Sequence, residues 1–169
     1  MVENEIITIK DFETIVVNAP EIINENNLTD DNIKEFLTDK VSYFIDKTCH
    51  KVKLIKNLRV ENEYTPIDAN LVNVIVHLNE NGYYTDWCCE GSDKNDGGYI
   101  SFTNGLNGFV IAKEKWETLA DAIIRLLVKC PKCNIDSYGP SIIIRWESKN
   151  STEKMNIIDS LNEVFMNIY

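Results

Sequence analysis

The sequence predicts an α+β protein, a single-domain sandwich in which about four helices cover a mostly antiparallel sheet. Three observations lead there. β-prone runs follow one another between amphipathic helices, turn-forming clusters such as SDKNDGG and NGLNG separate successive strands, and apolar residues fall on one stripe of each helix. At 169 residues the chain is long enough to bury about two-thirds of its unfolded surface in one core. One domain, 1–169, is expected, with 1–28 peripheral and 29–169 the main body.

The first forty residues carry ten acids against three lysines, an acidic, solvated stretch in which Ile6, Ile7, Ile9 and Phe12 still offer apolar packing. Thr29 or Asp30 is placed to cap a helix ending near Lys47, because Ile33, Phe36, Leu37, Val41, Phe44 and Ile45 repeat with helical period. Residues 50–59 alternate apolar Val52 and Leu54 with basic Lys51, Lys53, Lys56 and Arg59, which reads as an exposed strand. Asp68 is expected to cap a second helix with Leu71, Val74, Ile75 and Leu78 on its inner face. Gly82 suits the left-handed residue that ends it. His77 lies off that stripe and is read as a solvated surface residue.

Residues 83–89 read as a strand, 92–98 as a loop and 99–102 as a returning antiparallel strand, with 109–111 a short third strand. A third helix with Trp116, Leu119, Ala120, Ile123, Leu126 and Leu127 inside runs into Cys130 and is ended by Pro131. A CPKC turn follows. Residues 141–148, SIIIRWES, form the most β-prone segment and belong near the middle of the sheet. Ser151 or Thr152 is expected to cap the last helix, with Ile158, Leu161, Phe165 and Ile168 inside.

The formal net charge of −10 disfavours nonspecific association with nucleic acid or anionic membrane. The cluster Lys51, Lys53, Lys56 and Arg59 is the one basic strip that offers phosphate contacts. No apolar run approaches the roughly 20 residues that span a bilayer, and the start shows no secretory pattern. Five cysteines, an odd number, fit a reducing compartment, so a cytoplasmic protein is expected.

The segment made for a task is YYTDWCCEG. Tyr84, Thr85, Trp87, Cys89, Glu90 and Gly91 are the candidate ligand-binding residues. Gly91, Gly97 and Gly98 let backbone N–H groups approach a ligand, Glu90 or Asp93 accepts its donors, and Tyr83, Tyr84, Trp87 and Tyr99 offer rings for stacking on a base. No Lys or Ser/Thr follows in phosphate-loop spacing.

Cys130 and Cys133 have the CxxC spacing for a zinc ion, with Cys88 or Cys89, and Cys49 or His50, as the candidates to complete a tetrahedral set. A redox role needs a thiol at a helix N-terminus, whereas CPKC follows a helix C-terminus. A nucleophilic cysteine needs a base, and only His50 and His77 are on offer. No catalytic constellation is complete. A binding module for a small, nucleotide-like ligand or a partner protein is the reading that follows.

Residues 68–91 resemble the wybutosine-synthesis tRNA methyltransferase family. Asp68, Leu78, Asn79, Tyr83, Tyr84, Thr85, Cys89 and Gly91 fall in step with its acidic residue, its Leu-Asn helix end and its YYT…C-x-G segment. Trp87 and Cys88 stand where the family has two serines, and Ser92 where it has arginine. The resemblance implies a shared supersecondary unit and, as the alternative function, S-adenosylmethionine-dependent RNA methylation with Thr85, Cys89 and Gly91 lining the site. The same segment is similar to small uncharacterised proteins of Gram-positive bacteria and their phages that carry a CCxG motif before a YI-x-F strand. That similarity implies a phage or mobile-element accessory protein.

Overall fold

The computed structural model describes residues 15–17, 43–45, 51–56, 64–91, 97–103 and 109–169. The chain divides into two compact units, Met1–Ala69 and Asn70–Tyr169. The architecture is α+β, and every strand pairing among the described residues is antiparallel.

In the first unit β1 (Ile15–Val17), β2 (Tyr43–Ile45), β3 (Lys51–Lys56) and β4 (Tyr64–Asp68) form a four-stranded sheet in sequence order. Tyr43–Ile45 is a strand, not the end of a helix. Phe44 and Ile45 suit either period, and the pairing of Phe44 with Val16 on one side and Val52 on the other decides it. The rest of that expected helix, 29–42 and 46–47, lies outside the described residues, as does the packing expected of Ile6, Ile7, Ile9 and Phe12. The basic run is a strand as expected, and an interior one, with Lys53 opposite Ile67 and Lys56 opposite Tyr64. Arg59 lies outside the described residues. Asp68 closes β4 instead of capping a helix.

The second unit contains α1 (Val72–Glu80), β5 (Thr85–Cys89), β6 (Gly98–Phe102), α2 (Lys113–Lys129), β7 (Cys133–Tyr138), β8 (Ser141–Trp146) and α3 (Ser151–Phe165). Its sheet has the order β5-β6-β8-β7, so the β-prone SIIIRW strand is interior, flanked by β6 and β7. Two helix starts differ from expectation. Leu71 occupies the α1 N-cap with no side-chain bond, while Asn150, not Ser151, caps α3 by accepting the Glu153 N–H at 2.9 Å. At its other end α1 stops at Gly82, whose φ of +79 is the left-handed conformation expected there.

Residues 109–111 form no strand; Ile111 is buried just ahead of α2. Within α2 the inner face is Leu119, Ala122, Ile123 and Leu126. Ala120 is exposed. Cys133 begins a strand, so CPKC is a helix-to-strand connection and the polar CNIDSY run is the outer strand β7.

Alternation along the strands sorts the sheet into two faces. Ile100, Phe102, Ile144 and Trp146 are buried on one, and Phe102 meets Phe165 of α3 with ring centroids 6.0 Å apart. This is the helix-covered face, since α1 and α2 both pack against α3. The registers Trp87↔Ser101, Cys89↔Tyr99, Tyr99↔Arg145 and Ser101↔Ile143 place those residues on the opposite face.

Candidate functional site

The CCEG segment leaves β5 and turns through Gly91, which has φ of +82. Glu90 is buried and its carboxylate is engaged inside the protein. Oε1 lies 3.3 Å from the Lys154 ammonium of α3, and Oε2 accepts the Asn70 N–H at 3.3 Å, immediately before the start of α1. The acid therefore serves the helix end for which Asp68 was expected, where a negative charge is favoured by the helix dipole. Lys154 also donates to the Gly91 carbonyl at 3.4 Å, and the Trp146 indole N–H donates to the Glu90 carbonyl at 3.4 Å. Cys89 Sγ accepts the Gly91 N–H at 3.4 Å. Glu90 and Gly91 thus hold α1, β8 and α3 together.

Gly98 has a related duty. A Cβ there would stand 2.1 Å from the Trp146 indole, its register partner on β8, so the ring fills the space a side chain would need. At Gly97 a Cβ would come within 2.9 Å of the Trp146 carbonyl. The glycines expected to admit a ligand admit a core tryptophan. Residues 92–96, including Asp93, lie outside the described residues.

Thr85 is buried at the start of β5 and tied to the end of α1. Asn79 Nδ2 donates to Thr85 Oγ1 and to the Ile75 carbonyl, both at 2.8 Å, while its Oδ1 accepts the Thr85 N–H at 3.2 Å. Leu78 and Tyr83 are fully buried, and the Tyr83 hydroxyl donates to the Tyr169 carbonyl at 3.1 Å. Tyr84 is half-buried, edge-on to Phe109 at 5.1 Å. His77 is not a solvated residue. Its Nε2 lies 2.8 Å from the Ile168 carbonyl and its ring is edge-on to Tyr169.

Trp87 is different, with 68% of its surface exposed. Its diagonal neighbour on β6 is Tyr99, at the cross-strand spacing of about 7–8 Å. Across β6, Arg145 of β8 lays its guanidinium over the Tyr99 ring at 5.7 Å. The same guanidinium faces Asp136 of β7 at 3.5 Å, and both side chains are substantially exposed. Trp87, Cys89, Tyr99 and Arg145 thus lie on one face across three adjacent strands. Arg145 is the residue that reading the sequence missed. Its place in SIIIRW, out of step with Ile144 and Trp146, was the available signal.

Cys130 and Cys133 are both buried. Burial pushes the Cys133 thiol up to about 12, with the neighbouring Cys130 charge and a hydrogen bond from the pair adding to it. Cys88 lies on β5, and β5 and β7 are the two outer strands, about 14 Å apart at ordinary strand spacing. Cys88 and Cys89 therefore do not join the CPKC pair. Among the described residues no three His, Cys, Asp or Glu side chains are grouped to hold a metal ion, so the pair supplies two of the four ligands a structural zinc needs. Cys49 and His50 lie outside the described residues.

No family profile, curated protein or solved structure matches this chain. Among the described residues no helix is long and apolar enough to cross a membrane.

Proposed function

We propose that the protein is a non-enzymatic, cytoplasmic binding module whose contact surface is the sheet face bearing Trp87, Cys89, Tyr99 and Arg145. Its ligand is small and carries both a planar ring and an anionic group, as a nucleotide does. The observation that carries this reading is the exposed Trp87 diagonal to an arginine-capped Tyr99. A solvent-facing indole offers stacking area at little conformational cost, worth about 1–3 kcal/mol per base. Arg145 supplies a fixed, planar donor fork for an anion, and its exposed pair with Asp136 is weak enough to exchange. The net charge of −10 repels a long polyanion, while a mononucleotide needs only one local cation.

The remaining predicted residues support this placement by their other occupations. Glu90, Gly91 and Thr85 are engaged in holding the sheet to its helices, and Tyr84 packs on Phe109. Calorimetric titration with AMP tests the proposal. Binding that is lost in Trp87→Ala and weakened at least tenfold in Arg145→Gln is expected, with both variants folded. AMP affinity unchanged by Trp87→Ala would refute the assignment. S-adenosylmethionine serves as the second probe, since the resemblance to the RNA methyltransferases makes it the alternative ligand. Its preference over AMP would favour that alternative.

A further inference from the structure

We infer that Cys130 and Cys133 form a thiol-modification site, closing to an intramolecular disulfide when the protein meets a low-molecular-weight disulfide. The inference is independent of the ligand-binding face. The turn itself supplies the geometry. The Cys133 N–H donates to the Cys130 carbonyl at 3.0 Å across Pro131 and Lys132. Such a turn brings its first and fourth Cα atoms within about 7 Å, and a disulfide spans about 4.4–6.8 Å between Cα atoms. Both thiols are buried at the two ends of this turn. Proline in the connection restricts its conformations in the reduced and oxidised protein alike.

The reaction balances with the small disulfide as oxidant. The Cys130 thiolate attacks one sulfur of the reagent, whose S–S bond breaks and releases one thiolate. The Cys133 thiol then gives up its proton and attacks the Cys130 sulfur of the mixed disulfide, releasing the second. The protein dithiol loses two electrons and two protons, and the reagent leaves as two thiols.

Position in the fold sets the character of this disulfide. Cys130 follows the C-terminal end of α2, where the helix dipole opposes a thiolate, and burial holds Cys133 protonated. The dithiol gains none of the thiolate stabilisation that makes a disulfide strongly oxidising. The bond is therefore slow to form and hard to reduce, a clasp between α2 and β7 and not a catalytic redox centre.

Peptide mapping of the full-length protein after incubation with oxidised glutathione tests this. Trypsin cleaves after Lys129, Lys132 and Arg145, so the disulfide joins fragment 130–132 to fragment 133–145. The linked pair is expected at least tenfold more abundant than any linkage through Cys49, Cys88 or Cys89. Cys133→Ala should stop at glutathione on Cys130. Should that variant fail to fold, the wild-type map still decides. Glutathione retained on Cys130 or Cys133 of the wild type, or both thiols still open to alkylation after prolonged incubation, would overturn the inference.

Discussion

Glu90 and Lys154 are 64 residues apart in sequence and 3.3 Å apart in the interior of the second unit, each less than a tenth exposed. Taking one partner away leaves the other charge buried without its ionic counterpart, which costs about 3–5 kcal/mol. Glu90→Ala and Lys154→Ala should each lower the urea midpoint accordingly. The double variant with Leu at 90 and Met at 154 should recover much of the loss. Losses that simply add in the double variant would mean that the two side chains are energetically independent.

Gly98 accommodates the Trp146 indole, and Gly98→Ala should destabilise by about 1–3 kcal/mol or more, because the obstruction is a ring buried on every side. Trp146→Leu added to it should restore part of the difference. Thermal melts of the three variants measure this, and an unchanged melting temperature in Gly98→Ala would contradict the packing described.

Asn79 joins α1 to β5 by two hydrogen bonds to Thr85 and is itself anchored to the Ile75 carbonyl of its own helix. Asn79→Ala removes the side-chain amide that meets the Thr85 N–H and hydroxyl and should cost about 1–3 kcal/mol. Amide hydrogen exchange should quicken first at Thr85 and its neighbours. Fast exchange across the whole unit with Thr85 still protected would be the contrary result.

The Glu153 carboxyl lies below its ordinary value of 4.5, chiefly through its hydrogen bond to Lys132 and next through the Lys149 backbone N–H. A lowered folded value means that this contribution is present above 4.5 and lost as pH falls through the folded value. The wild type should therefore exceed Glu153→Gln in melting temperature at neutral pH, and the difference should shrink steadily below 4.5. A constant difference down to strong acid would show that the carboxylate charge is not what matters. The effect is small, since the group is exposed.

Much of the second unit was legible because its apolar periods are long. The α1 stripe ending at Gly82, the α3 stripe from Ile158 to Ile168, and the interior β8 strand all follow from local pattern. The strands β4 and β7 were not legible. CNIDSY shows no strand pattern because five of its six residues are exposed on an outer strand, and YTPID carries a proline that argues against a strand. The site was half legible. CCEG attracted attention correctly as unusual, yet the partners that explain it, Lys154, Trp146 and Asn70, come from other elements that local sequence does not bring together. What remained exposed after that engagement was Trp87, and its companion Arg145 became visible only through strand register.

The most direct test of the account is an amide NMR titration of the uniformly labelled protein with AMP. The account predicts saturable shifts confined to β5, β6 and β8 around Trp87, Tyr99 and Arg145, and no such shifts in Trp87→Ala. Shifts centred instead on Glu90, Gly91 and the start of α1, or no shifts at millimolar AMP, would contradict it.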